Sequence, residues 1–202
     1  MDALGWEASG GHGPSIDGSA TTSTDDALAA AVSGDSVSFA ALYESHLPQV
    51  FRYLRARVDD PNEAADLAQL VFLRAWEALP RYRPGRAPFA AWLFTIARNA
   101  AIDSARRSRA TVELEAAQSR AEGWEASAED AVLRDESRRL LRQRVSKLKR
   151  EEQDLLALRF AAGLSSSEIA RVVGRSEAAV KKQLTRLLQR LREEYDNEAA
   201  HQ

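Results

Sequence analysis

Gly163-Leu164-Ser165-Ser166-Ser167-Glu168-Ile169-Ala170-Arg171-Val172-Val173-Gly174-Arg175-Ser176 is the stretch that decides the fold. Ser165 and Glu168 stand at capping-box spacing, which marks a helix start. Ile169, Ala170 and Val173 supply a buried face for a short helix, and Gly174 suits the left-handed turn that ends it. Ser176 can cap a second helix, which turns Val180, Leu184, Leu187, Leu188 and Leu191 inward. Its other face carries Lys181, Lys182, Thr185 and Arg186. The small side chain of Ala170 lets the two helices approach. This pattern predicts a helix-turn-helix, in which a short helix braces a second one whose exposed N-terminal half fits a DNA major groove. The plainer reading is an antiparallel helix pair with a solvated charged face. A glycine at the turn, caps on both helices and cations gathered on one face favour the helix-turn-helix.

Upstream of that stretch the chain continues to read as helix. Segments 129–148 and 151–162 keep apolar residues at three- and four-residue spacing. Residues 1–23 are rich in Gly, Ser, Ala and Thr and read as a disordered tail. Thr24 or Asp25 can cap a short helix, Asp26–Val32, ended by Gly34. Asp35 or Ser36 then caps a longer helix to about Val58, with Phe39, Leu42, Tyr43, Leu47, Val50, Phe51 and Leu54 on one stripe and Pro48 inside it. Asp60-Pro61-Asn62-Glu63 is a helix start with proline in the first turn, and that helix runs to about Leu79. Arg81-Tyr82-Arg83-Pro84-Gly85-Arg86 forms a basic loop, and Pro88 opens a helix from Phe89 to about Arg107 whose stripe includes Trp92, Leu93 and Ile96. The expected fold is all-α: two small helical domains, 24–107 and 128–196, joined by a flexible linker at 108–127 in which Val112–Ser119 can be transiently helical. The C-terminal domain contains the helix-turn-helix, and residues 197–202 form a short tail.

The 202 residues carry a formal charge of -2, an average that hides a strong asymmetry. Residues 81–109 hold seven basic side chains against one acid, and 163–195 hold seven against four. Residues 110–136 invert the balance, with eight acids against Arg120 and Arg134. Basic patches attract phosphate and the acidic stretch repels it. The absence of cysteine excludes disulfides and thiolate metal sites and suits a reducing, cytoplasmic setting. Apolar runs such as Phe89–Ile96 fall short of the ~20 residues of a membrane span, so no membrane insertion is expected. No basic residue precedes the small apolar stretches of the N-terminus, which does not read as a secretory signal. His12, His46 and His201 are scattered, and there is no Gly-rich phosphate loop, metal-ligand cluster or nucleophile elbow. No catalytic residue, metal or cofactor is expected.

Two segments resemble a known family, the small extracytoplasmic function (ECF) group of bacterial sigma factors. The first segment is Asp60-Pro61 with Ala64-Ala65-Asp66-Leu67-Ala68-Gln69, Phe72 and Trp76. It continues through Phe89-Ala90-Ala91-Trp92-Leu93, Ile96-Ala97-Arg98-Asn99, Asp103 and Arg106. It is similar to the domain that grips polymerase and melts the upstream promoter element. The second, from about Leu148 to Arg192, is similar to the domain that reads the −35 element. From Asp60 to Arg192 they span about two thirds of the chain, in the family's order. Departures fall at Lys149, where proline is frequent; at Gln153, where a basic residue is; and at Ala178-Ala179-Val180, where Gly-Thr-Val is common. These bear on promoter preference rather than on the class.

The resemblance implies a transcription initiation factor that binds core RNA polymerase and directs it to specific promoters. Asp66, Gln69, Phe72 and Trp76 would dock on the clamp helices of the largest polymerase subunit, and the C-terminal domain on the flap of the second-largest. By spacing alone, Trp76 and Trp92 sit at apolar helical positions that read as core, and Phe72 reads as partly core. Arg83 and Arg86 of the loop, with Phe94, Arg98, Asn99 and Arg106 of the following helix, would hold the −10 non-template strand. Arg175, Ser176, Lys181, Lys182, Thr185 and Arg186 would meet the −35 duplex. The acidic linker would thread toward the RNA exit path, its acids either imitating RNA phosphates or serving as a soluble spacer. An anti-sigma factor is a possible further partner. The alternative is a stand-alone helix-turn-helix regulator that binds duplex without polymerase; the basic loop and helix at 81–107 argue against it. An enzyme is the more distant rival.

Overall fold

Five side chains set four helix starts. The Asp35 carboxylate accepts from the backbone N–H of Val37 and Ser38 and from the Ser38 hydroxyl, and these hydrogen bonds hold its pKa below the ordinary value. Asp60 accepts from Asn62 N–H at 2.9 Å, with Pro61 opening the helix. Ser165 and Glu168 close the expected capping box, and the Ser176 hydroxyl accepts from Ala179 N–H at 3.2 Å. Each satisfies backbone donors that a helix start leaves without partners.

The computed structural model describes residues 27–115 and 143–199. It comprises α1 (27–32), α2 (Ser36–Arg55), α3 (Pro61–Ala78) with a single 3-10 turn Leu79–Arg81, and α4 (Phe89–Glu115). These are followed by α5 (143–147), α6 (Arg150–Leu156), α7 (Ser166–Val173) and α8 (Glu177–Ala199). No strand occurs among the described residues. The expected tail at 1–23, part of the linker, the start of the 129–148 helix and residues 200–202 lie outside the described residues.

Helices α2, α3 and α4 form the first module. Its centre is a mesh of rings: Tyr43 meets Phe72 edge-on at 4.6 Å, and Tyr53 meets Phe94 at 5.6 Å and 89°. Tyr82 reaches Phe89 and Trp92, and its hydroxyl donates to Ala87 O at 2.8 Å. That bond folds the basic loop back onto the start of α4. The second module, α5 to α8, has an aliphatic centre of Leu155, Leu158, Leu164, Ile169, Val180, Leu184 and Leu187.

Several boundaries differ from those expected. Helix α2 ends at Arg55, not Val58, and the Arg55 guanidinium reaches forward to donate to Val58 O and Asp59 O. Helix α4 continues to Glu115, so 108–115 are helix, not linker. Helix α8 runs through Ala199, past the expected boundary at 196. Helix α6 passes into a wider turn, Ala157–Ala161, closed by Ala162 N–H donating to Ala157 O across five residues. On α7 it is Val172 that is buried, with Val173 only half-buried; on α8 Leu188 is exposed, because the stripe of Val180, Leu184 and Leu187 leaves it off the inner face.

The modules touch along two lines. Helix α4 packs along α7, and the C-terminal half of α2 packs against the wide turn. Arg52 Nε donates to Ala161 O at 3.1 Å, and Arg171 donates to Arg86 O at 2.6 Å.

Candidate nucleic-acid interface

Helix α8 presents the most complete surface. Gly174 has φ +68°, the left-handed turn that the spacing of α7 and α8 requires. Val180 and Leu184 seat the N-terminal half of α8 on the module, and Lys181, Lys182, Thr185 and Arg186 all lie exposed on its outer face. Two of the expected cations are already engaged. Lys181 pairs with Glu177 at 2.6 Å, one helical turn away. Arg175 donates to Gln183 Oε1 at 2.7 Å and to Glu151 Oε2 at 2.9 Å. Such exposed pairs contribute about 0–1 kcal/mol, so a phosphate can displace them. Ser176 serves first as the cap of α8, and its exposed position still leaves it beside the helix N-terminus. The cationic edge continues through Arg190, which pairs with Glu152 at 3.0 Å.

The second surface is formed by the basic loop and α4. Arg83 donates to Pro80 O and Tyr82 O, so its guanidinium braces the loop. Arg86, Asn99 and Arg106 are exposed. Phe94 is not on this surface: its side chain is fully buried, because its spacing from Ala97 and Ala101 sets it on the inner stripe of α4 against Tyr53. The expectation that Phe94 contacts a DNA strand is thereby corrected. Arg98 lies at the junction of the modules, half-buried, with its Nε 2.5 Å from Asp154 Oδ2.

Asp154, from α6, is itself buried and accepts at 2.7 Å from the Tyr53 hydroxyl. Arg57 Nε stands 3.7 Å from the same carboxylate, and Arg57 Nη1 donates to Gln153 Oε1 at 3.4 Å. Burial and the neighbouring carboxylate push the Tyr53 hydroxyl well above its ordinary pKa, so it remains a proton donor. The sequence reading missed Asp154, Tyr53 and Arg57. Its one available signal was an acid inside the apolar run Asp154-Leu155-Leu156-Ala157-Leu158; partners 56 and 101 residues away leave no periodic trace.

The third surface is the outer face of α3. Asp66, Gln69, Leu73 and Trp76 recur at three- and four-residue intervals and are exposed. Phe72 is buried against Tyr43 and supports this face from below rather than lying on it, a correction to its expected contact role. Trp76, 36% exposed, leans on Phe39 with ring centres 4.8 Å apart, and Val37 and Leu73 extend the apolar patch. Among the described residues no cluster of His, Asp or Glu could hold a metal, and no helix is long and apolar enough to cross a membrane.

Two modules helical throughout their described residues, one a helix-turn-helix with a cationic outer helix and the other bearing a basic loop and helix, define a nucleic-acid-binding protein. Residues 42–111 match the family model for sigma-70 region 2, and residues 138–191 match that for sigma-70 region 4. The chain is 37% identical over 152 residues to the ECF RNA polymerase sigma factor BldN of Streptomyces coelicolor, covering 75% of this chain and 58% of that protein. It is 35% identical over 176 residues to the ECF sigma factor SigD of Mycobacterium tuberculosis, covering 84% of this chain and 82% of that one. Among solved structures it is similar to CnrH bound to the cytosolic domain of CnrY, with TM-score 0.66, 26% identity, and 87% and 98% of the two chains covered. The chain belongs to the ECF RNA polymerase sigma factors.

Proposed function

We propose that this chain directs core RNA polymerase to specific promoters, reading −35 duplex with α8 and holding the opened −10 strand with the 81–86 loop and α4. The observation that carries the reading is the outer face of α8, where Lys182, Thr185 and Arg186 stand exposed behind a fully capped helix-turn-helix. Basic side chains there supply phosphate affinity, and hydroxyl and guanidinium groups reach base edges. Arg86, Asn99 and Arg106 support the −10 assignment, because a melted strand needs cations along its backbone and polar groups at its base edges. Asp66, Gln69 and Trp76 form the polymerase-facing surface, and the apolar patch of Val37, Leu73 and Trp76 suits a protein partner. An anti-sigma factor would act by covering these polymerase-facing surfaces.

Unstacking costs a few kcal/mol and each stacked base returns ~1–3 kcal/mol, so the balance is close. With Phe94 buried, the described aromatic surface for stacking is reduced, and bound polymerase must supply the difference. The factor is an initiation protein rather than a catalyst. The test is run-off transcription with core polymerase on genomic fragments, with and without the chain. Promoter-specific transcripts that require the chain support the reading; tight duplex binding without polymerase, and no transcript with it, support a stand-alone regulator.

A further inference from the structure

We infer that Asp154 is a clasp: its carboxylate fills a notch on the first module made by Tyr53, Arg57 and Arg98, and so holds the chain in a closed form that withdraws Arg98 from nucleic acid. The withdrawal from nucleic acid rests on the −10 reading proposed above; the clasp itself rests on geometry alone.

The partners are lopsided. Asp154 belongs to the second module, yet its hydrogen bonds and ion pairs run to the first: Tyr53 Oη at 2.7 Å, Arg98 Nε at 2.5 Å and Arg57 Nε at 3.7 Å. Only 4% of Asp154 is exposed. A carboxylate so placed is stable only with charged, hydrogen-bonding partners, and it would return to water if the modules parted. The three donors come from α2, the turn after it, and α4, and they converge on one point. The notch suits an oxyanion, and in the closed form the oxyanion is the chain's own.

A second line of contact strengthens the closure. Arg171 of α7 donates to Arg86 O, so the helix-turn-helix leans on the basic loop at the same time as α6 occupies Arg98. Closure therefore engages both elements assigned to the −10 strand while leaving the outer face of α8 exposed. The clasp is also imperfect: Arg57 Nε is buried with no hydrogen-bond partner. A buried donor left unsatisfied is a standing cost of the closed form, which favours release when a better anion arrives.

The test uses the full chain. It has no cysteine, so Glu44→Cys on α2 and Leu188→Cys on α8 accept a donor and acceptor dye. Single-molecule energy transfer then reports the separation of the modules. The background chain is expected to show one dominant short separation. In that background, Asp154→Asn is expected to lower the closed-to-open ratio by roughly ten- to a hundredfold, since it removes the charge from a buried pair. Tyr53→Phe deletes one bond but keeps the ring and is expected to lower the ratio less. Circular dichroism establishes that each variant keeps its helices. If Asp154→Asn does not fold, Tyr53→Phe alone decides. Unchanged separations in the folded variants overturn the clasp. A short labelled single-stranded oligonucleotide is titrated in parallel: tighter binding by the opened variant supports both readings. Opening without any gain in oligonucleotide affinity upholds the clasp but counts against the role of Arg98 at the −10 strand.

Discussion

The first module is built around rings and the second around aliphatic side chains, and their cations differ in the same sense. In the first, Tyr43, Tyr53, Phe72, Phe89 and Phe94 interlock, and two expected strand contacts are tied up, Arg83 to its own loop and Arg98 to Asp154. In the second, small helices close over Leu158, Ile169 and Val180, and Lys182, Thr185 and Arg186 project freely from α8. On the roles proposed above, the difference would leave one surface ready on folding while the other must be released. Duplex reading would need only a rigid helix, whereas strand holding would need Arg98, which Asp154 already engages.

The largest effect expected from breaking this contrast is at Phe94. Replacing it with alanine removes a ring from the centre of the first module and should lower unfolding stability by about 3–5 kcal/mol, read by urea denaturation. A loss within about 0.5 kcal/mol, typical of surface sites, would place Phe94 outside the core and reopen its contact role. By contrast, Lys182→Ala with Arg186→Ala should leave stability within about 0.5 kcal/mol. The pair should cut promoter-specific transcription at least about tenfold and reduce the salt dependence of duplex binding by about two released ions. Polymerase affinity should hold. Asp66→Ala with Gln69→Ala should do the reverse, weakening polymerase binding first. Equal behaviour of the two pairs would dissolve the division of labour between the modules.

Next in size is the hinge of the helix-turn-helix. Nothing lies within 4 Å of where a Cβ on Gly174 would sit, so Gly174→Ala meets no steric obstacle. The cost comes from the left-handed backbone alone, about 1–2 kcal/mol. Thermal unfolding of the variant should show that loss, and a reading of zero would mean that the turn relaxes. Ser165→Ala, which opens the capping box, should cost about 1 kcal/mol.

These positions were legible because their signals are local. A cap lies three residues from its donor and a turn glycine sits between two helices, so Ser165, Gly174 and Ser176 announced themselves in one dimension. The apolar stripes of α2 and, apart from Leu188, of α8 were legible for the same reason. Three kinds of feature were not. Helix α4 outran its expected end because periodicity weakens after Arg107 while helix propensity in Ala110–Glu115 does not. Phe94 and Phe72 were assigned to surfaces by resemblance, although their positions on the inner stripes of α4 and α3 bury them. The Asp154 notch joins α2, α4 and α6, and no spacing rule connects residues so far apart. Sequence pattern therefore conveyed the modules and the cationic face of α8, but not the junction between the modules.

The smallest effect concerns His46, on α2 beneath the start of α4. Its ring meets Phe89 edge-on at 5.2 Å, and its Nδ1 lies 3.0 Å from Leu42 O and 2.8 Å from Ser45 Oγ. Burial lowers its pKa, and the bond to Leu42 O only partly opposes that shift. The sign follows from proton counting. Below the ordinary imidazole value of about 6.5, the unfolded chain binds a proton that the folded chain still refuses. Stability should therefore be full above that value and decline as pH falls toward the lower pKa of the folded state. Melting temperatures taken between about pH 8 and pH 5 should fall more steeply for the parent chain than for His46→Gln, whose side chain does not titrate. Parallel slopes would mean that the imidazole reaches water in the folded chain. The first module would then be looser at the α2–α4 contact than its interlocked rings imply, and the contrast with the second module correspondingly weaker.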